Sequence, residues 1–265
     1  MLDACFHQGA GLHSFTPQSE LRVLAVASQS NAGSDLETLW QLCASLQRLG
    51  YPVVVLDATA YETQASPGLH HLLRQAPWHE GASVDLGAIA SSLAVIPAAL
   101  GLRELARTAQ TRDEPPLQAL LPYFRAYGLM VLHAPAGVLG PLLTHTATTP
   151  LVVMQPGAAG VLASYRHLKQ IALDAGLPCT VAAVLQGASA PERAKASGAL
   201  RTLQQCADRH LGGRLQTTTI SAHSSQDMQR LALQLLENAG TISGSLCAMP
   251  TSNLTGMLAH GARSH

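Results

Sequence analysis

Charged side chains are scarce, at 12% of 265 residues, about half the usual share. The surface must therefore rely on Ala, Ser, Thr, Gln and His, or on contacts with partners. Neither sign dominates: Lys+Arg and Asp+Glu stand at 16 each, so no global field draws the chain to nucleic acid or anionic lipid. The five cysteines (Cys5, Cys43, Cys179, Cys206, Cys247) form no CxxC pair and no zinc-like spacing. An odd, scattered set in a long chain excludes a disulfide framework and fits reduced thiols in a cytoplasm. The opening MLDACFHQGAG lacks a basic stretch followed by an apolar run, so no signal peptide is expected. No run reaches the roughly 18 apolar residues of a membrane span. Internal repeats are missing as well.

What remains is a regular alternation. Short apolar runs occur at 21–27, 52–57, 93–96, 129–132, 151–154 and 181–185, with a weaker one at 215–220. Segments of helical period lie between them, at 36–49, 69–75, 100–109, 116–126, 161–175, 191–210 and 225–238. In the first, Leu36, Leu39, Leu42, Cys43, Leu46 and Leu49 make one stripe that Gly50 ends. Strands that are apolar throughout are covered on both faces. The pattern predicts βαβ units, hence a doubly wound, mostly parallel α/β sheet with helices on both faces. The expected organisation is a segment 1–19, one domain over 20–238, and a loose Gly/Ser/Thr-rich tail over 239–265.

Ligands of such sheets bind beyond the carboxyl ends of the strands. After the first strand comes Ser28-Gln29-Ser30-Asn31-Ala32-Gly33-Ser34-Asp35. A phosphate-binding loop at this place needs glycines, a Lys and a Ser/Thr for Mg²⁺. This one has one glycine, no Lys and a carboxylate. Asp35 would repel a triphosphate with no cation to offset it. An ordinary helix start capped by Ser34 or Asp35 accounts for the same residues. Asp57 then reads as a solvent-facing strand end, and His133 as a hydrogen-bonded histidine rather than a general base. No Ser/His/Asp grouping can be built from sequence alone.

The order of motifs resembles the MinD/ParA-like P-loop ATPases. The helix end Gln41-Leu42-Cys43-Ala44-Ser45-Leu46-Gln47-Arg48-Leu49-Gly50 is similar to the family's NLAxxLAxxG phrase. Ser92–Leu102 is similar to its strand and Pro-Ala turn, and Ala147–Pro156 with Val161–Ile171 to a later strand and helix. On that register the family's signature Lys falls on Ser30, its phosphate Lys on Asp35 and its Mg²⁺-binding Thr on Leu36. Two loop glycines become Asn31 and Ala32, next to Gly33 and Ser34. Asp57 keeps the first acid of the second strand, Thr59 replaces the second, and His133 stands for the Mg²⁺-side Asp. The adenine-reading Asn falls on Leu185 or Gln186. The resemblance thus implies a vestigial phosphate loop with no catalytic residue, no bound metal, and no hydrolysis of ATP with Mg²⁺.

Within that family the N-terminus resembles the flagellar number regulators of the FlhG (FleN) branch. His7-Gln8-Gly9-Ala10-Gly11-Leu12-His13 is similar to their DQAxGLR element, matching at Gln8, Gly11 and Leu12. Asp208-Arg209-His210-Leu211 is similar to their RFL helix. The resemblance implies docking to the GTPase FlhF, a cytoplasmic protein recruited to the cell pole, and a monomer or a nucleotide-independent dimer. Leu254, Met257 and Leu258 offer a short apolar face, but a tail with one Arg and no Lys suits anionic lipid poorly. Two alternatives stay open: an ATPase with an atypical site whose cation comes from a partner, and a non-flagellar paralogue in partition or cellulose synthesis.

Overall fold

The computed structural model describes residues 20–29, 33–74, 93–111, 115–187, 189–212 and 215–243, with the backbone alone for 33–35. The elements, in chain order, are β1 (Glu20–Ala27), α1 (Gly33–Arg48), β2 (Val53–Asp57), α2 (Leu69–Arg74), β3 (Leu93–Pro97) and α3 (Ala99–Thr111). A 3₁₀ turn (Pro116–Leu120) leads into α4 (Leu121–Phe124), then β4 (Leu129–Ala134), α5 (Ala136–Leu143), β5 (Leu151–Met154) and α6 (Ala158–Ala175). The last are β6 (Cys179–Leu185), α7 (Ala190–His210), β7 (Leu215–Ser221), α8 (Ser225–Glu237) and β8 (Gly240–Ser243).

The strands form one sheet in the order β3-β2-β4-β1-β5-β6-β7. All these neighbours are parallel. β8 alone runs antiparallel, on the first half of β1, from Glu20↔Ser243 to Val23↔Gly240. Alternation along each strand divides the apolar side chains between two cores. Leu21, Val23, Ala25, Met130, Leu132 and Ala134 point into a cluster that also holds residues of α2 to α7. Leu24, Val26, Val53, Val55, Leu129 and Val131 point the other way, against α1 and α8. Helices therefore cover both faces, and the expected doubly wound, mostly parallel α/β architecture is observed. The edge strands are less covered than the apolar runs implied. Val95 of β3 is 43% exposed, and β7 is buried fully only at Ile220.

Three differences from the sequence reading have physical causes. α1 begins at Gly33, so Ser34 and Asp35 lie within its first turn rather than at the cap; their side chains lie outside the described residues. No helix was expected at 136–143, where Gly140 and Pro141 disfavour one. α5 forms there because Gly140 lets it approach α6: a Cβ would stand 2.5 Å from Asp174 Cβ. The tail was expected to loosen from 239, yet β8 continues the sheet to Ser243, with Ile242 only 5% exposed. Gln8, Gly11, Leu12, Ser30, Asn31, Ala32 and the tail beyond Ser243 lie outside the described residues.

Candidate functional site

β1 is the strand at which the chain's crossovers change direction. β2 and β3 lie to one side of it and β5 to β7 to the other. A crevice beyond the carboxyl ends at such a point is where this architecture places ligands. Asp57 ends β2, and His133 is the penultimate residue of β4; the two are register partners. Both share the parity of Val53, Val55, Leu129 and Val131, so both stand on the α1 side of the sheet. They also lie level with Val26 of β1.

The two side chains are bonded to each other. His133 Nδ1 lies 2.9 Å from Asp57 Oδ1. The same oxygen accepts from the Thr59 backbone N–H at 2.9 Å and the Thr59 hydroxyl at 2.7 Å. Burial alone would raise the Asp57 carboxyl; hydrogen bonds from His133 and Thr59 outweigh it and hold the carboxyl below its ordinary 3.8. An ionised Asp57 accepts the Nδ1 proton and leaves Nε2 as the histidine's other functional atom. That atom is buried and has no hydrogen-bond partner among the described residues. The expectation of a hydrogen-bonded His133 is met. The picture of Asp57 as a solvent-facing strand end is corrected, because the register sets it opposite a buried imidazole.

Neighbouring groups hold the ends of the strands. The Ser28 N–H donates to the Ala134 carbonyl at 2.9 Å and the Ala58 N–H to the His133 carbonyl at 2.8 Å. The Gln29 side-chain N–H donates to the carbonyl of Val153, tying the β1 loop to β5. Leu36 packs partly buried against the core under α1, an apolar side chain in the second turn of the helix. Leu185 is buried at the end of β6, with Gln186 exposed beside it. Among the described residues, no group of three or more His, Cys, Asp or Glu side chains could hold a metal ion.

Sequence reasoning missed Glu62. Its carboxylate accepts from the backbone N–H groups of Leu100 at 2.8 Å and Gly101 at 2.9 Å, in the first turn of α3. A longer contact of 3.4 Å reaches the His70 N–H of α2. Burial pushes the group up, but the backbone donors prevail and lower it from 4.5. The approach requires glycine nearby: a Cβ on Gly68 would lie 2.0 Å from the Pro97 carbonyl oxygen and 2.6 Å from Glu62 Cγ. No motif marks this carboxylate, because its partners are backbone groups 38 and 39 residues away.

With this geometry in hand, solved structures supply a comparison. MinD cell division protein from Aquifex aeolicus aligns over 81% of this chain and 96% of its own, at 14% identity and a TM-score of 0.50. The chain has the fold of MinD. Cobyrinic acid a,c-diamide synthase from Mycobacterium smegmatis aligns over 82% of this chain and 94% of its own, at 22% identity and a TM-score of 0.48. A plasmid partition protein from Borrelia burgdorferi aligns over 82% and 96%, at 15% identity and 0.44. No family model and no curated protein matches the sequence. Among the described residues, no helix is long and apolar enough to cross a membrane.

Proposed function

We propose that this chain is a non-hydrolysing protein of MinD-type fold that regulates flagellar number or placement by binding partner proteins. The observation that carries the reading is the Asp57–His133 pair. A site for Mg²⁺ and a triphosphate needs oxygen ligands for the metal and cations for the phosphates. Here the carboxylate at the end of β2 is bonded to an imidazole and to Thr59. A ring nitrogen stands on β4, a poor ligand for so hard a cation. Leu36 offers no hydroxyl, and the loop sequence from Ser28 to Asp35 holds no Lys or Arg. These residues do not fit Mg²⁺ with ATP.

The flagellar assignment rests on the likeness of Gln8, Gly11 and Leu12 to the FlhF-contacting element. An FlhF pull-down tests it. The full chain is expected to retain FlhF, and deletion of residues 1–15 is expected to abolish retention. No retention by the full chain would refer it to the non-flagellar alternative, and equal retention by both would show that residues 1–15 are not the docking element. An ATPase assay with Mg²⁺ is expected to give the background rate, and turnover above it would favour the atypical-ATPase reading.

A further inference from the structure

Balanced overall charge hides a local imbalance. Residues 155–212 carry six Lys/Arg against three Asp/Glu, a local net of +3, whereas the rest of the chain is acidic by the same amount. The six cations (Arg166, Lys169, Arg193, Lys195, Arg201 and Arg209) lie on α6 and α7, and all are exposed. The ion pairs among the described residues engage none of them. Of the nearby acids, Asp174 already accepts from the Gln170 amide at 2.7 Å.

Apolar surface accompanies this charge. Leu162 and Leu173 of α6 are 52% and 71% exposed. With Arg166 and Lys169 they follow the spacing i, i+4, i+7, i+11, one outer stripe of the helix. Where α6 and α7 end, a cleft of about 230 Å³ opens between them, lined by Leu168, Ala172, Leu177, Ala207, Leu211 and Leu215. That is room for one or two aliphatic side chains from outside.

We propose that the α6–α7 face docks an acidic amphipathic helix of a partner protein, whose carboxylates meet the cations while an apolar side chain enters the cleft. The partner chemistry follows from both features together. Nucleic acid meets the charge but has no aliphatic group for the cleft. Bilayer anchoring calls for a tighter Lys/Arg cluster and Trp or Phe at the surface, and α6 and α7 contain neither aromatic. Helix-in-groove docking uses an apolar face flanked by complementary charge. The inference rests on the partner-binding reading above, and names a surface for it.

The test is fluorescence anisotropy with the full chain and a labelled helical peptide, leucine on one face and glutamate on the other. Saturable binding is expected, weakened about tenfold or more by Arg166→Glu with Lys169→Glu, and likewise by Ala172→Leu, which fills the cleft. The charge variants sit on the exposed face and should leave the melting temperature unchanged. The proposal is overturned if the peptide does not bind, or if both variants bind it like the parent. It is also overturned if a lysine-for-glutamate peptide, duplex DNA or phosphatidylglycerol vesicles bind better. ATP turnover on the same samples reports separately on the parent reading, so the two can fail independently.

Discussion

At the scale of the residue, one oxygen atom gathers the contacts of the site. Asp57 Oδ1 receives the His133 ring and both donors of Thr59. Replacing His133 by Ala removes one donor from a half-buried carboxylate; a stability loss of about 2 kcal/mol is expected in urea unfolding. His133→Asp is more diagnostic. It sets two carboxylates opposite each other, so the variant should melt lower than the parent and recover partly when MgCl₂ is added. A variant that melts like the parent, with or without Mg²⁺, would show that the pair carries no electrostatic weight. Acid provides a third check. Asp57 and Glu62 both titrate lower when folded than their ordinary 3.8 and 4.5. Their stabilisation is complete above those values and is lost as pH falls through the lower folded-state values. The stability gap between the parent and Asp57→Asn should therefore be largest near neutrality and close below about pH 4.

At the scale of the element, local pattern and long-range contact separate. The seven runs from 21–27 to 215–220 all became strands; the first six are mainly aliphatic stretches between helical segments, which have few other uses in an α/β chain, whereas 215–220 is a polar, Thr-rich edge strand. α1, α6, α7 and α8 were legible from their stripes and turn residues. α5 was not: its Gly140 and Pro141 argue against a helix until α6 is packed beside it. β8 was not legible either, since Gly-Thr-Ile-Ser has the composition of a tail and gains meaning only from pairing with β1. The candidate site divides in the same way. Asp57 and His133 could each be singled out by position, but their bond spans 76 residues and depends on register, which a single sequence does not display. Truncation after Asn238 tests β8 directly. It uncovers half of β1 and removes Ile242 from the core, so a loss of about 3 kcal/mol is expected from burial and ladder bonds together. Gly240→Ala should cost about 1–3 kcal/mol, because a Cβ there would stand 2.1 Å from Thr148 Oγ1. Differential scanning calorimetry of the two variants would show whether β8 belongs to the cooperative unit.

At the scale of the whole molecule, the fold and the site lead in different directions. The fold is that of MinD, and a fold alone does not carry an activity. At the carboxyl ends of β2 and β4 a carboxylate is hydrogen-bonded to an imidazole, where Mg²⁺ chemistry would need free oxygen ligands. Two buried thiols are quiet: burial pushes Cys43 and Cys179 up to about 12, which keeps them protonated at neutral pH. α6 and α7 carry six exposed cations, and α6 two exposed leucines, Leu162 and Leu173. On the function proposed above, such a molecule recognises partners through its faces and binds no triphosphate. Isothermal titration of the full chain with ATP and Mg²⁺ tests that claim most directly. No heat beyond dilution is expected at high protein concentration; a saturable isotherm at one site per chain would show that the chain does hold nucleotide.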